Sequence, residues 1–362
     1  MRLLRLATTL NSTSAPYNQF SLGLKGRIQQ TFCSLFKNEI LVDKEIECLH
    51  SNGSILGMVR QLKDLLKNCN YEVIHVHSGL TGIIFLLAIF PLKLGLLKRT
   101  VFTLHNSWNV LTTRNQILDF IIMLLSNKVC TCGVSSKNSI PNFIYSLIEN
   151  KTIAVVNGFD HERIDNVERS RSYNLHFNEK SDINIVCIGA LNKTKNQIAL
   201  LRALKSIDIN AEVVFLGEGA NRHHLIKFSK DVPENIRIQF KGRVSRDLAI
   251  EHMLEADVSI SLSKGEGLPI AILESMYAGC YMILSRIPPH NEISPPKERC
   301  TFVDVENPPE ITDSLLNVKD KILSIKEGRS HSRHYSIENF SVHNMLSDYI
   351  EVYKSISKKE FI

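Results

Sequence analysis

Five short apolar runs in the second half of the chain, residues 183–189, 211–217, 236–241, 258–262 and 281–285, alternate with stretches of helical spacing. That alternation admits few folds. Strand after helix after strand builds a parallel α/β sheet, and such a sheet offers ligands the loops at the carboxyl ends of its strands.

The most informative of those loops follows the run at 258–262. It reads Ser263-Lys264-Gly265-Glu266-Gly267-Leu268-Pro269-Ile270 and enters a helix ending at Ala278-Gly279. Two glycines allow the backbone to approach a ligand, Pro269 suits the first helical position, and Gly279 suits the exit. A helix entered in this way presents N–H groups and a partial positive charge to a phosphate oxygen. The carboxylates of Glu266 and Glu274 lie eight residues apart with the bend between them, so they need not share a face. Without further context, an ordinary capped helix with two solvated acids accounts for the same residues.

The 362 residues suit two domains of ordinary size. Asn157-Gly158 is a strong turn signal just after an apolar run at 151–156, and the boundary is expected there. The expected division is residues 1–160, 161–335 and a closing helical segment 336–362. The chain is 44% hydrophobic and 22% charged. It has no run of ~18 apolar residues long enough to span a bilayer. The opening Met-Arg-Leu-Leu-Arg-Leu lacks the apolar core and cleavage site of a signal peptide, and reads as a first strand. Eight scattered cysteines look like reduced core residues, and Cys130-Thr131-Cys132 lacks the second ligand pair of a zinc site.

Charge is uneven. Through Asn157 there are 16 Lys and Arg against 8 Asp and Glu, a balance of +8; the remainder holds 27 against 29, or −2. The basic half favours an anionic partner such as a membrane surface or a phosphorylated acceptor. No recognition motif or dense basic run points to nucleic acid.

In this basic half a polar segment with a Pro turn, residues 11–23, follows the first strand. A helical pattern at 55–66 leads to a strand at 71–77, on which His75 and His77 share a face. They are two ligands at most, too few for a metal site. The run 81–99 is apolar all round, interrupted by Pro91 and basic at its end. It reads as a helix buried on the sheet, with a membrane-touching element as the alternative. A strand at 100–104 ends at His105, and a helix at 117–125 and strands at 129–134 and 151–156 complete the half.

Glu266 and Glu274, with Gly267-Leu268-Pro269 between them and Ala278-Gly279 behind, resemble the E-x7-E signature of retaining glycosyltransferases of family 4 (group 1), bacterial surface-polysaccharide type. Other segments agree. Strand 71–77 resembles D-V-I-H-x-H, Thr103-Leu104-His105 resembles T-x-H, Ser135-Ser136-Lys137 resembles part of V-S-x-x-x-K, and Asn157-Gly158-Phe159-Asp160 resembles the N-G-V-D hinge. Gly189 through Asn196 is similar to G-R-x-x-x-x-K-N, Phe240 through Val244 to F-x-G-x-V, and Ile287 through Ile293 to V-P-G-x-x-E-x. The departures are Ala190 at the arginine position, Pro289 at a glycine position, and the absence of a Gly-Gly loop in residues 11–23.

The resemblance implies an α/β protein of two Rossmann-like domains facing each other across a cleft, the GT-B fold, with the C-terminal helix crossing back to the first domain. It implies transfer of a hexose-type sugar from a nucleotide-diphosphate donor to a saccharide or lipid-linked acceptor, with no metal and no cofactor, in the cytoplasm or on the inner face of the membrane. Lys195 and the Gly267, Leu268, Pro269 and Ile270 segment would steady the diphosphate, joined by Gly189, Lys193 and Arg243. Val244 would lie near the base, Glu274 would bind the ribose, Glu266 the sugar, and His105 a sugar hydroxyl. With Ala190 in place of a bidentate guanidinium, Lys195 and the helix terminus carry more of the diphosphate charge. Two alternatives remain: a degenerate sugar-nucleotide-binding or scaffolding subunit, and an epimerase of the same fold.

Overall fold

The computed structural model describes residues 1–10, 23–37, 46–91, 93–170, 181–319 and 329–357. The polar segment singled out at 11–23, save Gly23, lies outside them. By its contacts the chain forms two compact units, Met1–Gly158 with Val342–Ile362, and Phe159–Ser341.

The first unit carries a seven-stranded parallel sheet in the order β3-β2-β1-β4-β5-β6-β7. Its strands are β1 (Arg2–Ala7), β2 (Gln29–Ser34), β3 (Glu47–His50), β4 (Val73–Val76), β5 (Thr100–Leu104), β6 (Lys128–Thr131) and β7 (Thr152–Ala154). The helices Ile55–Asn68, Gly79–Ile89 and Thr113–Leu125 supply one core with the sheet. The other face is closed by the last helix, Val342–Ile356, whose Met345, Leu346, Tyr349, Val352 and Tyr353 pack against Leu3, Val73, Val101 and Cys130. These five recur at intervals of three and four residues, the stripe that an amphipathic helix buries.

The apolar run expected as one helix over 81–99 is divided. The helix stops at Ile89, because Pro91 has no N–H to donate and holds Phe90 in extended backbone (φ −76, ψ 139). Ile84, Phe85, Ala88 and Ile89 are buried, whereas Leu87 and Phe90 are exposed. The strand expected at 129–134 ends at Thr131, since Val134 opens the short helix Val134–Asn138.

The second unit has a six-stranded parallel sheet, β10-β9-β8-β11-β12-β13. The strands are β8 (Ile183–Ile188), β9 (Ala211–Leu216), β10 (Ile236–Gly242), β11 (Val258–Ser261), β12 (Tyr281–Ser285) and β13 (Cys300–Val303). The order reverses between β8 and β11, and in a doubly wound sheet that switch point is where the loops part to make room for a ligand. A large apolar core built on Val213, Phe215, Val258, Ile283 and Leu315 lies under one face.

The segment expected to begin at 336 begins instead at Val342. The helix Arg329–Phe340 stays with the second unit, where it packs on helix Ile270–Ala278 and where Arg333 Nη2 pairs with Glu168 Oε2 at 2.6 Å.

Candidate functional site

The loops after β8 and β11 flank the switch point, and the sequence ties them together. Gly189 leaves β8 at φ +139, a conformation that side chains rarely adopt, and a Cβ there would sit 3.2 Å from Lys195 Cε. The glycine therefore lets the lysine stem lie over the strand end. Asn192 Oδ1 accepts the Lys195 N–H at 2.9 Å, Asn196 Nδ2 donates to the Leu262 carbonyl at 3.2 Å, and Lys264 N–H donates to the Thr194 carbonyl at 2.8 Å.

With the loops so joined, Lys195 Nζ lies 2.6 Å from Glu266 Oε1. The Ser263 hydroxyl donates to the same oxygen at 2.6 Å. Charge-assisted bonds of this length are the strong ones. Glu266 and Ser263 are buried, and the lysine side chain keeps 25% of its exposure. The side chain is therefore both held in place and partly open to solvent.

His290 is buried behind this pair. Its Nδ1 lies 3.0 Å from the Ser285 carbonyl and 3.1 Å from Ser285 Oγ, while Ser285 Oγ donates to the Ser263 carbonyl at 2.6 Å. A carbonyl only accepts, so Nδ1 carries the proton and Nε2 is an acceptor. That Nε2 is buried with no hydrogen-bond partner among the described residues. Burial pushes the imidazole pKa down to about 4 against the opposing charge of Glu266, so the ring is neutral near pH 7.

Glu274 lies in helix Ile270–Ala278 and is buried. The helix is entered through Pro269, which caps it rather than forming its first turn, and Gly279 ends it in the left-handed conformation, φ +91. The Arg246 guanidinium, first in helix Arg246–Glu255, pairs with Glu274 Oε1. Burial raises the Glu274 pKa, opposed by Arg246 and by the more distant Arg163. Arg243 and Val244 lie just before this arginine, separated from it by Ser245, the first exposed and the second half-buried.

The structure thus joins Gly189, Lys195 and Glu266 in one cluster and brings Glu274 to the loop of Arg243 and Val244. Gly267 and Leu268 are buried and Pro269 and Ile270 half-buried between the two acids; Lys193 and Ala190 are exposed on the β8 loop. His105 belongs to the first unit, half-buried at the end of β5, with Nε2 2.9 Å from His77 Nδ1. Burial, with the charge of Arg5, lowers its pKa to about 4. Among the described residues no three His, Cys, Asp or Glu side chains converge to hold a metal ion. The eight cysteines are all free thiols. Sequence reasoning missed Arg246, Ser263 and the individual roles of His290 and Arg5. The one acid in the otherwise apolar helix Ile270–Ala278 was the available signal for Arg246, since a carboxylate buried there calls for a cation.

Residues 172–333 match the family described as Glycosyl transferases group 1. The chain is 24% identical over 241 residues to the capsular polysaccharide biosynthesis glycosyltransferase CapH of Staphylococcus aureus, covering 64% of each chain. It is 24% identical over 331 residues to the O-antigen biosynthesis glycosyltransferase WclY of Escherichia coli, covering 88% of each. In fold it is similar to Anabaena HepE, solved with UDP and glucose, at a TM-score of 0.80 and 14% identity over 98% of this chain and 100% of that one. It is also similar to sucrose-phosphate synthase of Thermosynechococcus elongatus, at 0.78 and 12% over 98% and 99%. Two parallel Rossmann-like sheets with these neighbours define a protein of the GT-B fold. The family match falls within the second unit, Phe159–Ser341.

Proposed function

We propose that the protein transfers a hexose-type sugar, with retention of anomeric configuration, from a nucleotide-diphosphate donor to a saccharide or lipid-linked acceptor in cell-surface polysaccharide synthesis. The observation that carries this reading is the Lys195–Glu266 pair at the switch point, with the buried Glu274 eight residues further on. Cleavage of the glycosidic bond leaves a nucleotide diphosphate whose charge must be neutralised. The Lys195 ammonium and the entrance of helix Ile270–Ala278 offer positive potential for that without a metal. Glu266, held by Ser263 and Lys195, presents its carboxylate to sugar hydroxyls, and Glu274 presents its own to the ribose. The acceptor is delivered on the face that the leaving group vacates, so no protein nucleophile is needed. Relatives that act in capsule and O-antigen synthesis support the polymer class of the product.

The test is a panel of UDP- and GDP-sugars, first by thermal shift and then by transfer to saccharide and lipid-linked acceptors. UDP-sugars come first because HepE was solved with UDP. A donor that stabilises the protein and is turned over supports the reading; stabilisation by no nucleotide sugar refutes it. Ala190, where the family places arginine, favours one second reading, a sugar-nucleotide-binding subunit. That reading predicts stabilisation without turnover on every acceptor.

We propose further that the first unit rests on an anionic membrane face. Exposed Leu87, Phe90 and Leu94 lie in the same stretch as Lys93, Lys98 and Arg99, a composition suited to an interface. No helix among the described residues is long and apolar enough to cross a membrane. Co-sedimentation with phosphatidylglycerol vesicles but not phosphatidylcholine vesicles is expected, and equal recovery in both supernatants would refute the contact.

A further inference from the structure

A cavity of about 440 Å³ lies in the first unit at the amino ends of β4 and β5, the opposite end of those strands from the loops that follow them. That volume falls within the range of small-ligand pockets, roughly 300 to 1,000 Å³. Leu66 enters its wall from the end of helix Ile55–Asn68, and Asn70 from the approach to β4. Lys93, Gly95, Leu96 and Arg99 enter from the segment between Pro91 and β5.

The lining holds two cations and no acid. Lys93 Nζ donates to the Leu66 carbonyl at 2.6 Å, one of the carbonyls that a helix leaves unpaired in its last turn. Arg99 Nη1 donates to Asn70 Oδ1 at 2.7 Å and to the Tyr71 carbonyl at 3.0 Å. These neutral oxygens fix where the charges stand without neutralising them. Among the described residues no carboxylate pairs with either cation, and Arg99 Nε and Nη2 make no hydrogen bond. The acid next in the chain, Glu72, lies toward the other face of the sheet, where the Ser357 hydroxyl donates to its Oε2 at 3.4 Å. Helix capping thus accounts for one N–H of the lysine, and the rest of both cations is left for an anion with several oxygens.

Gly95 keeps the cavity open, since a Cβ built there meets no atom within 4 Å. Leu94 beside it and Phe90 ahead of it are exposed apolar side chains. An anion site next to exposed apolar residues matches a ligand with a charged head and a hydrocarbon tail.

We propose that this cavity binds the phosphate of an anionic lipid headgroup, with Lys93 and Arg99 taking its oxygens while Leu94 and Phe90 meet the acyl chains. The lipid as the source of the phosphate rests on the membrane contact proposed above; the anion site does not. Charge alone would draw the first unit to any negative surface. A walled site with a guanidinium and an ammonium at fixed places adds a preference for phosphate over other anions of equal charge.

Co-sedimentation of the full chain with phosphatidylcholine vesicles, doped either with phosphatidylglycerol or with oleate to the same surface charge, reads that preference. The parent should partition about tenfold more strongly onto the phosphatidylglycerol vesicles. Gly95→Leu fills the cavity while keeping every charge and adding apolar surface; its partition onto phosphatidylglycerol should fall about tenfold, with a thermal midpoint close to that of the parent. Lys98→Gln, in the same stretch but outside the cavity, should cost about fivefold on both kinds of vesicle. Arg99→Gln leaves an amide for Asn70 but no charge, and its two partitions should converge. Equal binding of the parent to both vesicles, or Gly95→Leu binding that is unchanged or tighter, would overturn the headgroup site and leave the membrane contact standing. If the parent sediments with neither vesicle, the membrane contact falls and the lipid source with it. Calorimetric titration with glycerol 3-phosphate then decides the rest: binding that Gly95→Leu abolishes would reassign the cavity to a free phosphate, and no binding would overturn the anion site. Should Gly95→Leu not fold, the convergence in Arg99→Gln still decides.

Discussion

Replacement of Glu274 by alanine perturbs two things at once, and the structure separates them. The Glu274 side chain retains 4% of its exposure and that of Arg246 13%. Alanine at 274 strands the guanidinium in a mostly buried place, and breaking such a pair costs about 3 to 5 kcal/mol, toward the lower end here because the arginine can turn to water. Loss of the proposed ribose contacts is a different quantity. Two hydrogen bonds from hydroxyls to a carboxylate contribute about 2 to 3 kcal/mol together, a loss in nucleotide affinity of about 30- to 150-fold. The double variant Glu274→Ala with Arg246→Ala removes the stranded charge but not the missing contacts. Urea denaturation should show the double variant regaining a good part of the lost stability. Calorimetric titration with UDP and GDP, well below the unfolding transition, should show affinity as low as in the single variant. If affinity returned together with stability, the single-variant loss would have been one of folding, and Glu274 would not touch the nucleotide.

Ala190→Arg adds a guanidinium to the exposed loop beside Gly189; it should lower KM for the nucleotide sugar by up to about tenfold, and an unchanged KM would mean that Lys195 already suffices. Burial raises the pKa of Asp119 to about 6, and its Oδ1 accepts the Gly79 N–H at 2.8 Å. A raised carboxylate pKa means that the folded state holds its proton more tightly, so ionisation destabilises fully above pH 6 and not at all below about pH 4. Asp119→Asn keeps the acceptor, and its urea midpoint should exceed that of the parent at pH 8 by about 2 to 3 kcal/mol of stability, the gain vanishing near pH 4. Gly217 sits at φ +147 with a would-be Cβ 2.0 Å from the Gly189 carbonyl oxygen. Gly217→Ala should lower the thermal midpoint by the equivalent of about 3 kcal/mol and loosen the Lys195 loop; a midpoint unchanged from the parent would contradict that crowding.

The second sheet was largely legible because its strands are apolar runs bounded by turns, and β12 begins and ends where periodicity placed it. β2, β3 and β13 were not. Gln29-Gln30-Thr31 and Glu47-Cys48 carry polar side chains that packing absorbs, as Thr31 Oγ1 does by donating to Glu47 Oε2 at 2.8 Å, and β13 has only four residues. The acids of the site were legible as a spaced motif, whereas their partners were not. Arg246 lies 28 residues before Glu274 and pairs with it only because two helices of the second unit pack side by side. Arg5 interrupts an apolar segment in the sequence, yet it is the largest wholly buried side chain of the described core. A single charge among leucines carries no label of its partner, which here comes 72 residues later.

The helix Val342–Ile356 has a consequence for how the chain comes to be folded. It supplies Tyr349 and Tyr353, and Tyr353 is the partner of His75, so the first sheet stays uncovered on one face until these residues have been synthesised. The second unit is one uninterrupted stretch of chain, complete once Ser341 has left the ribosome. Newly made protein therefore passes through a stage with one finished unit and one apolar face still open, exposed to aggregation or in need of a chaperone. The unit that is begun first is the one completed last.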